Sequence, residues 1–483
     1  MCTLSISVFK STLINLSILN LLFAKGSLSF CHMATNTNEV GYLAQYLKPT
    51  DAGFREASNL LRRGKLVAFP TETVYGLGAN AFDEQAVRSI FETKKRPLSD
   101  PLIVHVSSLD QGLGLVEMSE EGQSVFRTLA SAFWPGALTL IARAVPQLPS
   151  CITANTGFVG IRYPSHPLAQ RLICEAQLPI AAPSANRFGH VSPTLASHVM
   201  NDLGDSPIAI LDGDGEEAEA RASTCEHGIE STVCKIDAEA KCLIVYRQGA
   251  VPLAAIQRSL EENQLDDYKI EVVRKFVPMP DESKQKVTEN YQSNSPAPSK
   301  KLKTQEYAIN AEEEKDVGEA APGQLITHYA PDVETFLVNP EEWTQEKYEA
   351  ALENSTLSPH LDLSRAVVID YGCHLSWLKG KVVAYSNLSP SSNMKEAGRN
   401  LFASLRWAET IENAKAVLLP DLSKELDENA GGVADRMFRS ASGKYSELVC
   451  SQSVGQHETE NGELGAAVGN KVASGGETAV PVC

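Results

Sequence analysis

Hydrophobic positions along this chain recur in two periods, and the changes between them lay out its elements. From Thr50 to Gly64 the spacing is helical: Thr50 and Asp51 suit a cap, Ala57, Leu60 and Leu61 share a face, and Gly64 stops the run. An apolar strand over 66–70 follows, then a helix capped by Asp83 with Ala86, Val87, Ile90 and Phe91 on one side. Further strands are predicted over 102–106, 138–143, 159–162, 179–186, 208–211, 231–236 and 242–247. Helices are predicted over 120–133, 167–175 and 252–262, with another opened by Ser192-Pro193-Thr194. Helices separate some of these strands but not all, which predicts one mixed α/β sheet.

The periodicity lapses between 278 and 321, a stretch with the makeup of a flexible linker. It resumes as a smaller doubly wound pattern, with strands over 335–338, 366–369, 382–385 and 416–420 and helices over 395–409 and 433–440. The division expected is therefore an extension over 1–40, an α/β domain over 41–277, a linker over 278–333, a Rossmann-like domain over 334–450 and a disordered tail over 451–483. Residues 1–32 hold no acid and only Lys10 and Lys25 as bases. Their apolar patch at 16–24 is too short and too interrupted to span a bilayer, so no membrane association is expected. A cytoplasmic protein is expected, with this extension allowing a mitochondrial or plastid form, and Met33 offers a second start.

Length and charge narrow the picture further. The 483 residues suit two or three domains, and 43% apolar with 21% charged residues is a globular balance. The net charge of −17, from 43 basic and 60 acidic side chains, argues against generic duplex binding, which rests on cations neutralising phosphates. The ten cysteines show neither C-x-x-C nor zinc-ligand spacing and read as reduced, buried thiols. The linker's Lys300, Lys301 and Lys303 read as a solvated charge run.

Against that acidic background two stretches stand out. In VAFPTETVYGL (67–77) an apolar run stops at Pro70 and opens into hydroxyl-bearing residues, and in KKRPLSDPLIVHV (94–106) three bases precede a strand. Lys94 and Arg96, one residue apart on a segment read as extended, project to one side as a phosphate clamp requires. Together they suggest a pocket for a polyanion and a small polar substrate. No nucleophile elbow, P-loop or dinucleotide-binding glycine fingerprint is present.

PTETVYGL (70–77), KKRP with PLIVHV (94–106) and APSAN (182–186), in this order, resemble the YrdC-like threonylcarbamoyl-AMP synthase family. GIEST (228–232) and Arg247-x-Gly249 extend the resemblance, and the PG…HYAP motif (322–331) with the second α/β domain matches the long, two-domain form. The resemblance implies a YrdC-like twisted mixed sheet with helices and a smaller C-terminal Rossmann-like domain. It implies that L-threonine, bicarbonate (as CO2) and ATP become threonylcarbamoyl-AMP and pyrophosphate. The product passes to the threonylcarbamoyl-transfer machinery that modifies tRNA adenosine. ATP serves as substrate, Mg2+ is expected beside it with no ligands assigned, and positioning replaces a covalent nucleophile, so no catalytic residue is named.

Carried onto this chain, the resemblance assigns Lys94, Arg96, Asp100, Phe158, Ser184, Asn186, Ser192, Arg247, His328 and Tyr329 to ATP. It assigns Thr73, His105, Arg162, Ala182 and Ser231 to threonine, with Arg162 gripping the carboxylate. Asp100 stands where the family pattern often has Asn; a carboxylate there repels phosphate unless it helps hold Mg2+. His328 and Tyr329 belong to a segment expected to fold over the pocket as a lid. Two other readings remain at this point. One is a double-stranded RNA or tRNA binder without catalysis, using a weak local patch of Lys94, Lys95, Arg96 and Arg162. The other is a carbamoyl-phosphate enzyme, which would carry zinc-finger cysteines that this chain lacks.

Overall fold

Thr50 Oγ1 accepts from the Gly53 amide at 3.3 Å, and helix α1 (Asp51–Arg62) starts there. In the computed structural model the described residues are 43–214, 225–273, 321, 328–358 and 362–449. The N-terminal extension, most of the acidic loop after Asp214, the linker with its lysine run, Pro322-Gly323 and the C-terminal tail lie outside them.

In chain order α1 is preceded by β1 (Gln45–Leu47) and followed by β2 (Val67–Phe69), β3 (Gly76–Asn80), α2 (Glu84–Lys94), β4 (Ile103–His105), α3 (Leu109–Leu113) and β5 (Val116–Glu117). Then come α4 (Glu120–Phe133), β6 (Leu138–Ala144), β7 (Phe158–Arg162), α5 (Pro167–Ala176), β8 (Ile180–Ala181), α6 (Ala196–Leu203) and β9 (Ala209–Leu211). The unit closes with β10 (Thr232–Asp237), β11 (Cys242–Arg247), α7 (Leu253–Glu262) and β12 (Lys269–Val272). These strands form one mixed sheet in the order β1-β9-β2-β3-β8-β4-β7-β6-β10-β11-β12, with β5 beside β6. Helices cover both faces. Phe54, Ala57 and Leu61 of α1 pack with Leu168, Leu172 and Ile173 of α5, while Val87 and Ile90 of α2 and Phe126 and Leu129 of α4 fill the other side.

The PTETVY stretch is the tip between two antiparallel strands, since β2 pairs with β3 with Phe69 opposite Gly76. The sequence reading missed β3 because Gly-Leu-Gly-Ala-Asn has no β-branched residue to mark it. A larger correction concerns the bases. Lys94 is the last residue of α2, Lys95 turns left-handed at φ 53°, and Arg96 lies beyond the cap, so the segment is not extended. The helix expected to open at Ser192-Pro193-Thr194 begins instead at Ala196, after Leu195, which gives no side-chain cap.

The second sheet is parallel throughout, in the order β13 (Glu334–Val338), β16 (Ala416–Pro420), β14 (Ala366–Asp370), β15 (Ala384–Asn387). Helices α8 (Gln345–Glu353), α9 (Met394–Glu409) and α10 (Ala430–Ser440) flank it. Helix α8 was not predicted: only its Ala351 is buried, so its apolar stripe is too thin to read. Val74, Val191, Ile229 and Tyr329 share one buried apolar cluster with Leu401, Phe402 and Leu405 of α9 and Val433 and Met437 of α10. Burying such side chains contributes roughly 1.5–3 kcal/mol each, which joins the second layer firmly to the first.

Candidate active site

The tip after β2 is shaped by its own hydroxyls. Thr71 Oγ1 lies 2.8 Å from Thr73 Oγ1, donates to the Val74 carbonyl at 2.6 Å and accepts from the Val74 amide at 3.2 Å. This Ser/Thr turn aims Thr71 and Thr73 into a cavity. Arg96, Arg162 and Arg247 line the same cavity, with Ala182, Ser184, Ser231, His328 and Tyr329. Nine of the fifteen expected site residues thus meet at one place.

Each cation is held by the fold. Arg96 donates to the carbonyls of Asp100 (3.1 Å) and Pro101 (2.9 Å) and pairs with the Asp100 carboxylate at 2.8 Å. Arg162 pairs with Glu72 at 2.6 Å and donates from Nε to the Gly136 carbonyl at 3.2 Å. Burial disfavours the Glu72 anion, yet the Arg162 charge and hydrogen bond outweigh it and hold that carboxyl below its ordinary pKa. Arg247 donates to the Ser231 carbonyl and to Ser231 Oγ, each at 3.1 Å, and Ser231 Oγ also lies 2.8 Å from Thr139 Oγ1.

Six expected residues do not line the cavity. Lys94 Nζ donates to the carbonyls of Ser184 (2.7 Å) and Asn186, so it holds the PSAN turn from behind. Burial first, and then the Arg96 charge, push its pKa well below that of a free lysine. Asn186 secures the same turn through its Nδ2, which donates to the carbonyls of Arg187 (2.7 Å) and His190 (2.8 Å). Asp100 neutralises Arg96, so its carboxylate faces a guanidinium rather than phosphate. Ser192 donates to Glu230 at 2.6 Å. Phe158 stacks beneath Lys235, whose Nζ is 3.7 Å from the ring centroid. His105 lies edge-on to Phe69 with ring centroids 6.0 Å apart.

The RNA patch is corrected as well. Lys94, Arg96, Arg162 and Arg247 expose only 2%, 7%, 4% and 7% of their surface, so a duplex backbone cannot reach them. Only Lys95 of the expected patch is exposed. Cations enclosed this way suit a small polyanion that enters the cavity.

Buried histidines make the fold acid-sensitive, His105 and His198 among them with His227 and His328, whose pKa values burial also lowers. Burial, with the Arg162 charge adding to it, pushes the His105 pKa down to about 3; burial and Arg406 take His198 to about 4. Both stay neutral in the fold while the unfolded chain takes up protons below its ordinary value near 6.5. Stability is therefore full above that pH and falls as pH drops towards the folded values. His105 alone is expected to cost about 3 kcal/mol by pH 4.5. His190, held between Asp202 and Glu409 at 3.0 and 2.7 Å, works in the opposite direction because those partners overcome burial and raise its pKa. Urea unfolding of His105→Gln should show a flatter decline between pH 6.5 and 4.5; an unchanged slope would clear His105.

Thr71, read from sequence only as part of the hydroxyl-bearing turn and given no ligand, lines the cavity, and sequence reasoning missed Glu230, beside Ser231 in its quoted motif. It also missed Glu72, the partner of Arg162. Among the described residues the carboxylate lining the cavity is Glu230, which accepts from Ser192 through Oε1 and pairs with Arg436 through Oε2 at 2.8 Å. Both Glu230 oxygens are therefore engaged by protein partners.

The Sua5/YciO/YrdC family model, described as telomere recombination, matches residues 59–249, and one described as threonylcarbamoyl-AMP synthase, C-terminal domain, matches 282–442. Threonylcarbamoyl-AMP synthase of Pyrococcus abyssi is 44% identical over 208 residues, 43% of this chain and 57% of that protein. That of Bacillus subtilis is 49% identical over 168 residues, 35% of this chain and 48% of that protein. A putative threonylcarbamoyl-AMP synthase of Mycobacterium tuberculosis is 39% identical over 168 residues, 35% of this chain and 76% of that protein. The chain thus aligns with about half the length of the first two. The crystal structure of P. abyssi Sua5 complexed with L-threonine matches with a TM-score of 0.59 and 28% identity, over 83% of this chain and 98% of that one. A variant of that protein with adjacent histidine and tyrosine changed to alanine matches with a TM-score of 0.60.

Proposed function

Because this chain belongs to the threonylcarbamoyl-AMP synthase family, we propose that it is a nucleotidyltransferase joining L-threonine, CO2 from bicarbonate and ATP. The observation that carries this reading is the meeting of three guanidiniums, Arg96, Arg162 and Arg247, with the hydroxyls of Thr73 and Ser231 in one cavity of a chain whose net charge is −17. The L-threonine complex of the P. abyssi relative supports threonine as one substrate.

In this reading the neutral threonine amine forms an N–C bond to CO2 and loses a proton, giving a carbamate. A carbamate oxygen then attacks the α-phosphorus; the bond to the β-phosphate bridging oxygen breaks and pyrophosphate leaves with its electron pair. Arg162 holds the threonine carboxylate, and Thr73 and Ser231 hold its polar groups. Arg96 and Arg247 face the charge developing on the phosphates, where a fixed guanidinium in a dry site needs no reorganisation. Lys94 and Asn186 act one step back, keeping the PSAN turn and Ser184 in place. His328 and Tyr329 cover the hollow and exclude water from the labile carbamate. This His-Tyr pair is the counterpart we assign to the pair altered in the P. abyssi variant. The adenylate is a mixed anhydride that hydrolyses readily, so a transferase acting on tRNA must consume it promptly.

Purified protein incubated with ATP, labelled bicarbonate and L-threonine should yield a labelled adenylate by mass detection, and omission of any one substrate should abolish it. ATP turnover unchanged without threonine would overturn the proposal.

A further inference from the structure

Arg436 is fully buried, although it comes from α10 of the second layer and lies 188 residues beyond one of its partners, Gln248. Its Nε donates to Glu230 Oε2 at 2.8 Å, and its Nη1 donates to the Gln248 carbonyl. Those two acceptors are the chain neighbours of Ser231 and Arg247. One planar guanidinium therefore spans both segments that deliver these residues to the cavity. Its Cζ also lies 5.3 Å from the centre of the Tyr329 ring, which has the ring of Phe402 of α9 at 5.3 Å and that of His328 edge-on at 4.1 Å. Tyr329 is thus seated between an aromatic ring and a cation that both belong to the second layer.

The contact between layers is backbone on backbone. A Cβ at Gly432 of α10 would come within 2.7 Å of the Gly249 carbonyl oxygen, and within the first layer one at Gly249 would come within 2.3 Å of the Glu230 carbonyl oxygen. A Cβ at Gly228 would meet the Arg399 Cα of α9 at 2.4 Å. Packing this close leaves α10 no room to slide against the Glu230–Ser231 wall. Arg436 therefore works from a fixed support.

We propose that Arg436 is a positioning residue of the site: it holds the Glu230–Ser231 and Arg247–Gln248 segments in register and is the cation on which Tyr329 docks. The second layer is then part of the active-site wall and not only an anchor for the covering segment. This rests on the function proposed above for its kinetic consequences, though not for its structural ones.

Removing Arg436 alone would strand the Glu230 carboxylate and confuse misfolding with mispositioning. The informative variant is Glu230→Gln/Arg436→Gln, which removes both charges together; Arg436→Lys keeps the charge and loses the fork. Two readouts apply beside Tm. One is the KM for ATP against kcat. The other is hydrogen exchange at the Ala330 amide, which donates to the Gly189 carbonyl at 3.0 Å and reports docking of the His328–Tyr329 segment without any substrate. The double variant should keep a Tm within a few degrees of wild type, raise KM at least tenfold and exchange Ala330 at least tenfold faster, with Arg436→Lys between. Wild-type KM and wild-type exchange in either folded variant overturn the proposal. Failure of the wild-type protein to make any adenylate would overturn the proposed function instead and leave the exchange result to decide the role of Arg436.

Discussion

Arg96→Ala is expected to lower threonine-dependent pyrophosphate release at least a hundredfold, the size of loss typical when a fixed charge stabiliser is removed from a closed site. The same change should destabilise the protein by roughly 3–5 kcal/mol, because it leaves the fully buried Asp100 carboxylate beside an empty space. The two effects separate in Arg96→Ala/Asp100→Ala. With neither charge present most of the stability should return, while the cavity still lacks the guanidinium and turnover stays low. Melting temperature and pyrophosphate release measured on both variants decide the matter. A double variant with wild-type turnover would place the triphosphate elsewhere.

The second large effect concerns the amino acid. Arg162→Ala should raise the calorimetric Kd for L-threonine at least a hundredfold, since a guanidinium is the bidentate partner a carboxylate requires. Glu72 already engages Nη2 at 2.6 Å, and the Gly136 carbonyl engages Nε, so the fork is oriented before substrate arrives. Arg162→Lys keeps a positive charge beside Glu72 and should fold nearly as well, yet bind threonine weakly because an ammonium cannot span both oxygens. Wild-type affinity in the lysine variant would show that charge alone suffices and would remove the fork from the account. ATP binding measured without threonine should change far less in either variant.

What could be read from the linear chain was what local chemistry decides. Helix starts at Thr50 and Asp83, the buried faces of the two long amphipathic helices α4 and α9, and the four strands of the second sheet all follow from spacing and capping within a few residues. The motifs PTETVYGL and APSAN meet at the cavity because β3 pairs with β8 and Gly76 bridges to Ser184.

The placement of charge was not legible. Nothing near Lys94 in sequence says that its ammonium will be spent on two carbonyls ninety residues away, or that Asp100 will face Arg96 rather than a ligand. Glu72, Glu230 and Arg436 became part of the site through contacts between segments distant in the chain. Most elements, both sheets and the motifs that carry the chemistry were legible along the chain, because hydrophobic period and turn residues act locally. Which cations open onto the cavity and which hold its walls came from the folded arrangement alone, because a buried charge is governed by whichever partner folding brings within about 3 Å.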